Sequence, residues 1–315
     1  MSLLARSKPG TNAPGGANKW VRLAKWMVLA VLVMALFVFL AKWARTLGPV
    51  QDFVLRYPGH SEHPAGAPVG LSVWLGWQHF LNAFFLVLII RSGWLVRATA
   101  RPKAYWTRKS TGIFKTKSEP VKISLELWFH LSLDVLWLLN GAVFMVLLFI
   151  SGGWMRIVPT GWDIFPNAVS PALQYASLDW PLENGWINYN ALQVLAYFAI
   201  VFIASPLAVI TGVRMSPAWP KGHPALERIY PMEAARKAHF PVLLFFTAFA
   251  TMHVALVLST GALRNLNHMF ASRDDAGWVG FGIFAVSVAV MATASILARP
   301  TFLRQLASLT GKVSK

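Results

Sequence analysis

Between Ala238 and Gly261 the chain reads AHFPVLLFFTAFATMHVALVLSTG, an apolar run broken by two imidazoles, His239 and His253. A bilayer core is about 30 Å thick and a helix rises about 1.5 Å per residue, so a run of this length spans it. Lipid offers no hydrogen-bond partners, so the backbone of such a run must satisfy itself as a helix. Fourteen residues separate the two histidines. At about 100° per residue that falls about 40° short of four full turns, which puts both rings on one face, about 21 Å apart along the axis. They therefore sit near opposite leaflets.

The rest of the chain matches this setting. Of its 315 residues, 56% are hydrophobic and 13% charged, and the mean hydropathy is +0.51. Soluble domains carry about 25% charged residues, so the chain belongs in a membrane. Five further apolar runs cover Trp26–Ala41, Leu71–Val96, Leu125–Ser151, Tyr189–Val213 and Trp278–Leu297. The first resembles a secretory signal in its basic lead and short apolar core. No small-x-small cleavage pattern follows its KWAR ending, so it reads as an uncleaved first span. The fourth is interrupted by Pro206 and holds no histidine. The expected fold is an all-α integral membrane protein with six transmembrane helices. Its membrane domain covers residues 26–298, between basic tails at 1–25 and 299–315. A loop at 152–188, rich in proline and carrying Trp154, Trp162, Trp180 and Trp186, joins the third and fourth spans.

Net charge of +17 would suggest a nucleic-acid partner in a soluble protein. Here its distribution matters more. Six spans place residues 1–25, 97–122, 214–237 and 299–315 on one side, and these hold 22 of the 29 Lys and Arg. The opposite side holds five: Arg45, Arg56, Arg156, Arg264 and Arg273. The imbalance predicts both termini in the cytoplasm. Cysteine is absent, which excludes disulfides, zinc ribbons, iron–sulfur clusters and covalent haem attachment.

Topology gives each histidine a depth. The second span runs outside to inside, so His79 lies toward the outer face. The third runs the other way, so His130 lies toward the inner face. The fifth places His239 inside and His253 outside. The depth-matched pairs are His79 with His253, and His130 with His239. A low-spin haem iron used for electron transfer takes two axial ligands, and imidazole is a common one. Two helices that each contribute a histidine can clamp one porphyrin. The pattern thus predicts two noncovalent haem b groups with these four histidines as iron ligands. Gly93 lies 14 residues after His79 and near the inner level; Gly141 lies 11 after His130 and near the outer level. Both can admit a macrocycle close to the backbone.

Other polar groups inside apolar runs are candidates for function because lipid makes them costly. Arg91, Asp134, Arg236 and Lys237 are candidates for contacts with haem propionate or quinone. Asp134, one turn beyond His130, can also orient a ligand ring or take a proton. Asn82, three residues after His79, can support that ligand. His60, His63, His223 and His268 fall in loops and read as solvated surface groups.

The stretch GWQHFLNAFFLVLIIRSGW, the His130 helix and a later helix with two histidines 14 apart resemble the bacterial di-haem membrane cytochrome b family. That family includes membrane subunits of formate dehydrogenases and nickel–iron hydrogenases, and cytochrome b partners of molybdopterin oxidoreductases. The resemblance covers roughly residues 71–265. It implies His79 paired with His253, His130 paired with His239, and electron transfer between a quinone pool and a soluble redox protein. It implies location in the bacterial inner membrane. Two spans differ from the family pattern, the leading one and the histidine-free fourth. The other class the residues allow is a transporter or proton-conducting protein using the same histidines without haem.

Overall fold

A computed structural model describes residues 16–109, 120–180, 184–220 and 222–315. Residues 1–15 of the expected basic tail, Lys115, Lys117 and Lys221 of the basic loops, and residues 181–183 of the outer loop lie outside the described residues. The chain opens with α1 (Gly16–Ala44), turns through α2 (Gly48–Arg56) and continues in α3 (Val73–Ala98). Strands β1 (Tyr105–Arg108) and β2 (Lys122–Ser124) lead to α4 (Leu125–Ile150). A 3-10 turn at Gly153–Arg156 and helix α5 (Ile164–Ala176) follow. The fourth span consists of α6 (Ala191–Phe198), a π-helical stretch Ala199–Ala204 and α7 (Ser205–Met215). Helix α8 (Pro224–Ile229) precedes α9 (Met232–Ser259). Helix α10 (Ala262–Leu266) and a second π-helical stretch Asn267–Ala271 turn the chain into α11 (Val279–Leu297). Then come α12 (Pro300–Thr310) and β3 (Gly311–Ser314).

Six helices are long and apolar enough to cross a membrane, and the protein is a multi-pass, almost wholly α-helical membrane protein. Almost every apolar side chain of α1 from Trp26 to Leu40 is exposed. An apolar helical stretch exposed on all sides belongs in lipid. Local signals explain the other boundaries. Ser124 caps α4 by accepting the Leu127 N–H at 3.1 Å, and Asn190 and Gln193 form a reciprocal capping box at the start of α6. Pro206 cannot donate to the preceding turn, and the fourth span widens to a π-helix just before it. There the Ser205 hydroxyl donates to the Ile200 carbonyl at 2.8 Å.

The bundle is organised as α3 packed on α4 and α7 packed on α9. Asn140 on α4 donates to Asn82 on α3 at 3.2 Å, tying the first pair together in the apolar layer. This occupies Asn82 with Asn140, so the expected support of His79 by Asn82 is not what the structure shows. A polar pair between helices satisfies both amides where lipid cannot.

Both sides of the bundle carry folded caps. On one side, Gly59 N–H donates to Asn167, Gly70 N–H to the Trp186 carbonyl, and Arg45 to Ser177. The expected outer loop 152–188 is thus partly helical: α5 buries Ile164 and Ala168 against Ala191 and Val194 of α6. On the other side, β1 pairs antiparallel with both β2 and β3, in the order β2-β1-β3. Ala104, Leu125, Leu303 and Ala307 form a small core beneath this sheet. Residues 299–315 were expected as a basic tail and 97–122 as a loop; their described parts instead fold onto each other. The pairing also puts the chain after α11 on the same side as the α3–α4 connection, as six alternating spans require.

Candidate functional site: two facing imidazole pairs

Helix α9 brings its two histidines to two different partners. His79 on α3 faces His253 with ring centres 6.1 Å apart and planes at 53°. His130 on α4 faces His239 with centres 6.5 Å apart and planes at 87°. These are the two depth-matched pairings expected from the sequence.

Aromatic rings surround the His79–His253 pair, named the outer pair after the side expected from the charge distribution. Phe249, one turn before His253, stacks on it at 5.6 Å and 4°, and Tyr197 presents an edge at 6.2 Å. Phe270 meets His79 edge-on at 5.6 Å. Gly76 allows this approach: a Cβ there would lie 2.6 Å from the Met269 carbonyl oxygen, so any larger residue would push the Asn267–Ala271 stretch away. His79 Nδ1 is buried with no partner.

The inner pair is held differently. The Ser92 hydroxyl on α3 lies 2.9 Å from His130 Nδ1, and the Thr211 hydroxyl on α7 lies 2.8 Å from His239 Nδ1. A glycine follows each hydroxyl. A Cβ on Gly93 would come within 3.1 Å of His130 Cε1, and one on Gly212 within 3.7 Å of His239 Cε1. Gly93 thus lies beside the inner site, as expected. Gly141 faces open space, with no atom within 4 Å of its Cβ position.

Between the two pairs, Trp137 and Phe246 meet edge to face at 6.4 Å. Phe246 is seven residues from both His239 and His253, and Trp137 is seven after His130. Seven residues return to nearly the same helix face, about 10.5 Å along the axis, so this ring pair fills the bundle midway between the sites.

The remaining candidates divide clearly. Arg91 Nη1 is buried without a partner. Arg91 lines an apolar groove of about 320 Å³ between α3 and α9, together with Trp94 and Leu243. Asp134 Oδ2 lies 3.7 Å from His130 Nε2, beyond hydrogen-bond length, so this ring is oriented by Ser92 and the Ile89 backbone rather than by Asp134. Arg236 and Lys237 are exposed in the first turns of α9. His60 and His223 are exposed and His63 is half-buried. His268, expected as a solvated loop residue, is only 5% exposed. Its Nε2 bonds Asp274 at 2.8 Å and its ring packs 5.2 Å from Trp186. Hydrogen bonds from His268 and Arg264 hold the Asp274 carboxyl below the usual carboxylate range. A depressed carboxylate pKa stabilises the fold at neutral pH, and that contribution is lost as pH falls through the depressed value.

The arrangement can be tested against a metal cofactor. Among the described residues no cluster of three or more His, Asp or Glu could hold a bare ion. Each site offers two imidazoles, which is the number a planar tetradentate macrocycle leaves for the protein, whereas zinc sites take three or four protein ligands. With metal–imidazole bonds of about 2 Å and a ring centre about 1 Å beyond each nitrogen, two ligands on opposite sides of one metal place ring centres about 6 Å apart. Both pairs have this spacing. At 6.1 and 6.5 Å the rings of neither pair are hydrogen-bonded to each other. The donor set fits haem.

Compared with protein-family models, with curated proteins and with solved structures, the chain matches none.

Proposed function

We propose that this chain is a di-haem membrane cytochrome b that carries electrons across a bacterial inner membrane. The observation that carries this reading is the pair of facing imidazoles repeated at two depths on one helix. His79 and His253 would hold the outer haem b, and His130 and His239 the inner one. Bound haem would supply one-electron redox chemistry at each site.

The protein's own residues do the rest. Phe249, Tyr197 and Phe270 wall the outer pair with rings, and Trp137 and Phe246 separate the two sites with apolar surface, which keeps water out. Arg91, with its free Nη1, suits a propionate or a quinone oxygen. The electron donors and acceptors in this reading are the quinone pool and a soluble periplasmic redox protein, with molybdopterin oxidoreductases the class suggested by the resemblance. Trp162, 86% exposed and stacked on Phe165 at 5.7 Å, offers that partner an aromatic contact on the outer cap.

A reduced-minus-oxidised absorbance spectrum of the purified protein tests the reading directly: b-type bands are expected, corresponding to two haems per chain. The second reading, proton conduction without haem, draws on the 3.7 Å approach of Asp134 to His130. A protein lacking b-type bands but moving protons in vesicles would favour it. Orientation is tested by thiol labelling, since the chain has no cysteine of its own. An impermeant reagent applied from the periplasm should label Trp162→Cys and spare Ser308→Cys. The opposite pattern would invert the assignment.

A further inference from the structure

The inner imidazole pair has a feature that the outer pair lacks. Ser92 and Thr211 are each 1% exposed, and each hydroxyl has a second partner besides its histidine. The Ser92 O–H donates to the Ile89 carbonyl at 3.1 Å, and the Thr211 O–H donates to the Leu207 carbonyl at 2.6 Å. A hydroxyl has one proton to give. With that proton given to a helix carbonyl, each hydroxyl accepts from the ring beside it. That arrangement corresponds to His130 and His239 both carrying their proton on Nδ1, which leaves the lone pair on Nε2. The outer pair has no such hydroxyl. His79 Nδ1 has no partner, and His253 makes no hydrogen bond among the described residues.

The two halves of the inner site repeat one device. On α3 it is Ser92–Gly93 against the Nδ1–Cε1 edge of His130; on α7 it is Thr211–Gly212 against the same edge of His239. The hydroxyl fixes the proton and ring rotation; on α3 Gly93 also lets the ring lie close to the neighbouring helix, whereas a Cβ at Gly212 would make only ordinary contact. Ser92 and Thr211 each lie on a different helix from the histidine they bond, so each clamp also ties one helix of the bundle to the next.

We propose that Ser92 and Thr211 are positioning residues that lock the inner histidine pair in the metal-binding tautomer and set the inner site's redox potential apart from the outer one. This rests on the haem reading above. A hydrogen bond that takes up the Nδ1 proton makes the ring a stronger electron donor through Nε2. Stronger donation favours ferric over ferrous iron and lowers the potential. Loss of either hydroxyl should therefore raise the potential of the inner haem alone.

The test is a potentiometric titration of the full chain in membranes, comparing wild type with Ser92→Ala, Thr211→Val and the conservative Ser92→Thr and Thr211→Ser. Two b-type components are expected in the wild type. In Ser92→Ala and in Thr211→Val the lower component should rise by about tenfold in the ferric–ferrous equilibrium, about 59 mV for a one-electron couple, while the higher stays in place. The unmoved component reports that the protein is still folded. Ser92→Thr and Thr211→Ser should restore the wild-type value. Two unmoved components in Ser92→Ala and Thr211→Val would overturn the proposal and leave the haem reading standing; absence of any haem band in the wild type would overturn both. A second readout needs no haem. In ¹⁵N-histidine-labelled haem-free protein, two histidines should show Nδ1 protonation, and Ser92→Ala and Thr211→Val should each convert one to a mixture. Nε2 protonation at both in the wild type would also overturn it.

Discussion

With two haems bound as proposed, His253→Ala should lower the haem content of the purified protein to about one per chain. Helix α9 supplies one imidazole to each pair, whereas α3 and α4 supply one each. The effects of double replacements therefore depend on the pairing. His79→Ala combined with His253→Ala removes two ligands of one site and should cost no more haem than either alone. His239→Ala combined with His253→Ala takes a ligand from both sites and should leave none. Pyridine haemochrome content per mole of protein distinguishes these outcomes. Additive loss for His79 and His253 would mean that they do not share an iron.

The second large effect is expected at Arg156. The residue is 6% exposed, and its guanidinium donates to the carbonyls of Gly70 and, at 2.7 Å, Gly185, and lies 4.5 Å over the Tyr189 ring. One side chain thus joins three separate segments of the outer cap. Arg156→Met keeps much of the volume but removes the donor from two half-buried carbonyls, at about 0.5–1.5 kcal/mol each, and loses a cation–π contact of about 0.5–2 kcal/mol. A destabilisation of about 2–5 kcal/mol is expected. Thermal unfolding in detergent should show it, as should faster proteolysis in residues 152–188. Arg156→Lys should recover little, because an ammonium lacks the planar fork that reaches two carbonyls at once. An unchanged melting temperature in Arg156→Met would show that the cap does not depend on this residue.

The paired histidines were legible because two strong periodic signals act on them. Helical periodicity placed His239 and His253 on one face, and charge bias gave each span a direction. The hydroxyl clamps were less visible. Serine and threonine in apolar helices commonly bond their own helix backbone, so Ser92 and Thr211 carry no signal on their own. The hydroxyl–glycine dipeptide they share, Ser92–Gly93 and Thr211–Gly212, recurs at Ser151–Gly152, Thr260–Gly261 and elsewhere, so it does not single them out either. Asn82 was associated with His79 by its three-residue spacing, which describes neighbours along one helix. Its partner, Asn140, comes from the next helix. His268 looked like a loop residue because its burial depends on Asp274 and Trp186, which no local pattern connects to it. The sheet escaped notice for a similar reason. Strands of three or four residues have almost no period, and β3 lies about 200 residues from β1.

That small sheet has a consequence for biogenesis. Strand β1 sits at its centre, with β2 on one edge and β3 on the other. The β2 edge can close as soon as the α3–α4 connection leaves the ribosome. The β3 edge stays unpaired until all six helices have been synthesised, and an open strand edge invites foreign pairing. Closure of β3 on β1 is therefore a late latch, made only by chains whose last helix has returned its following segment to the correct side. A chain that inserts its last span in the wrong orientation cannot make this pairing and keeps an open β1 edge.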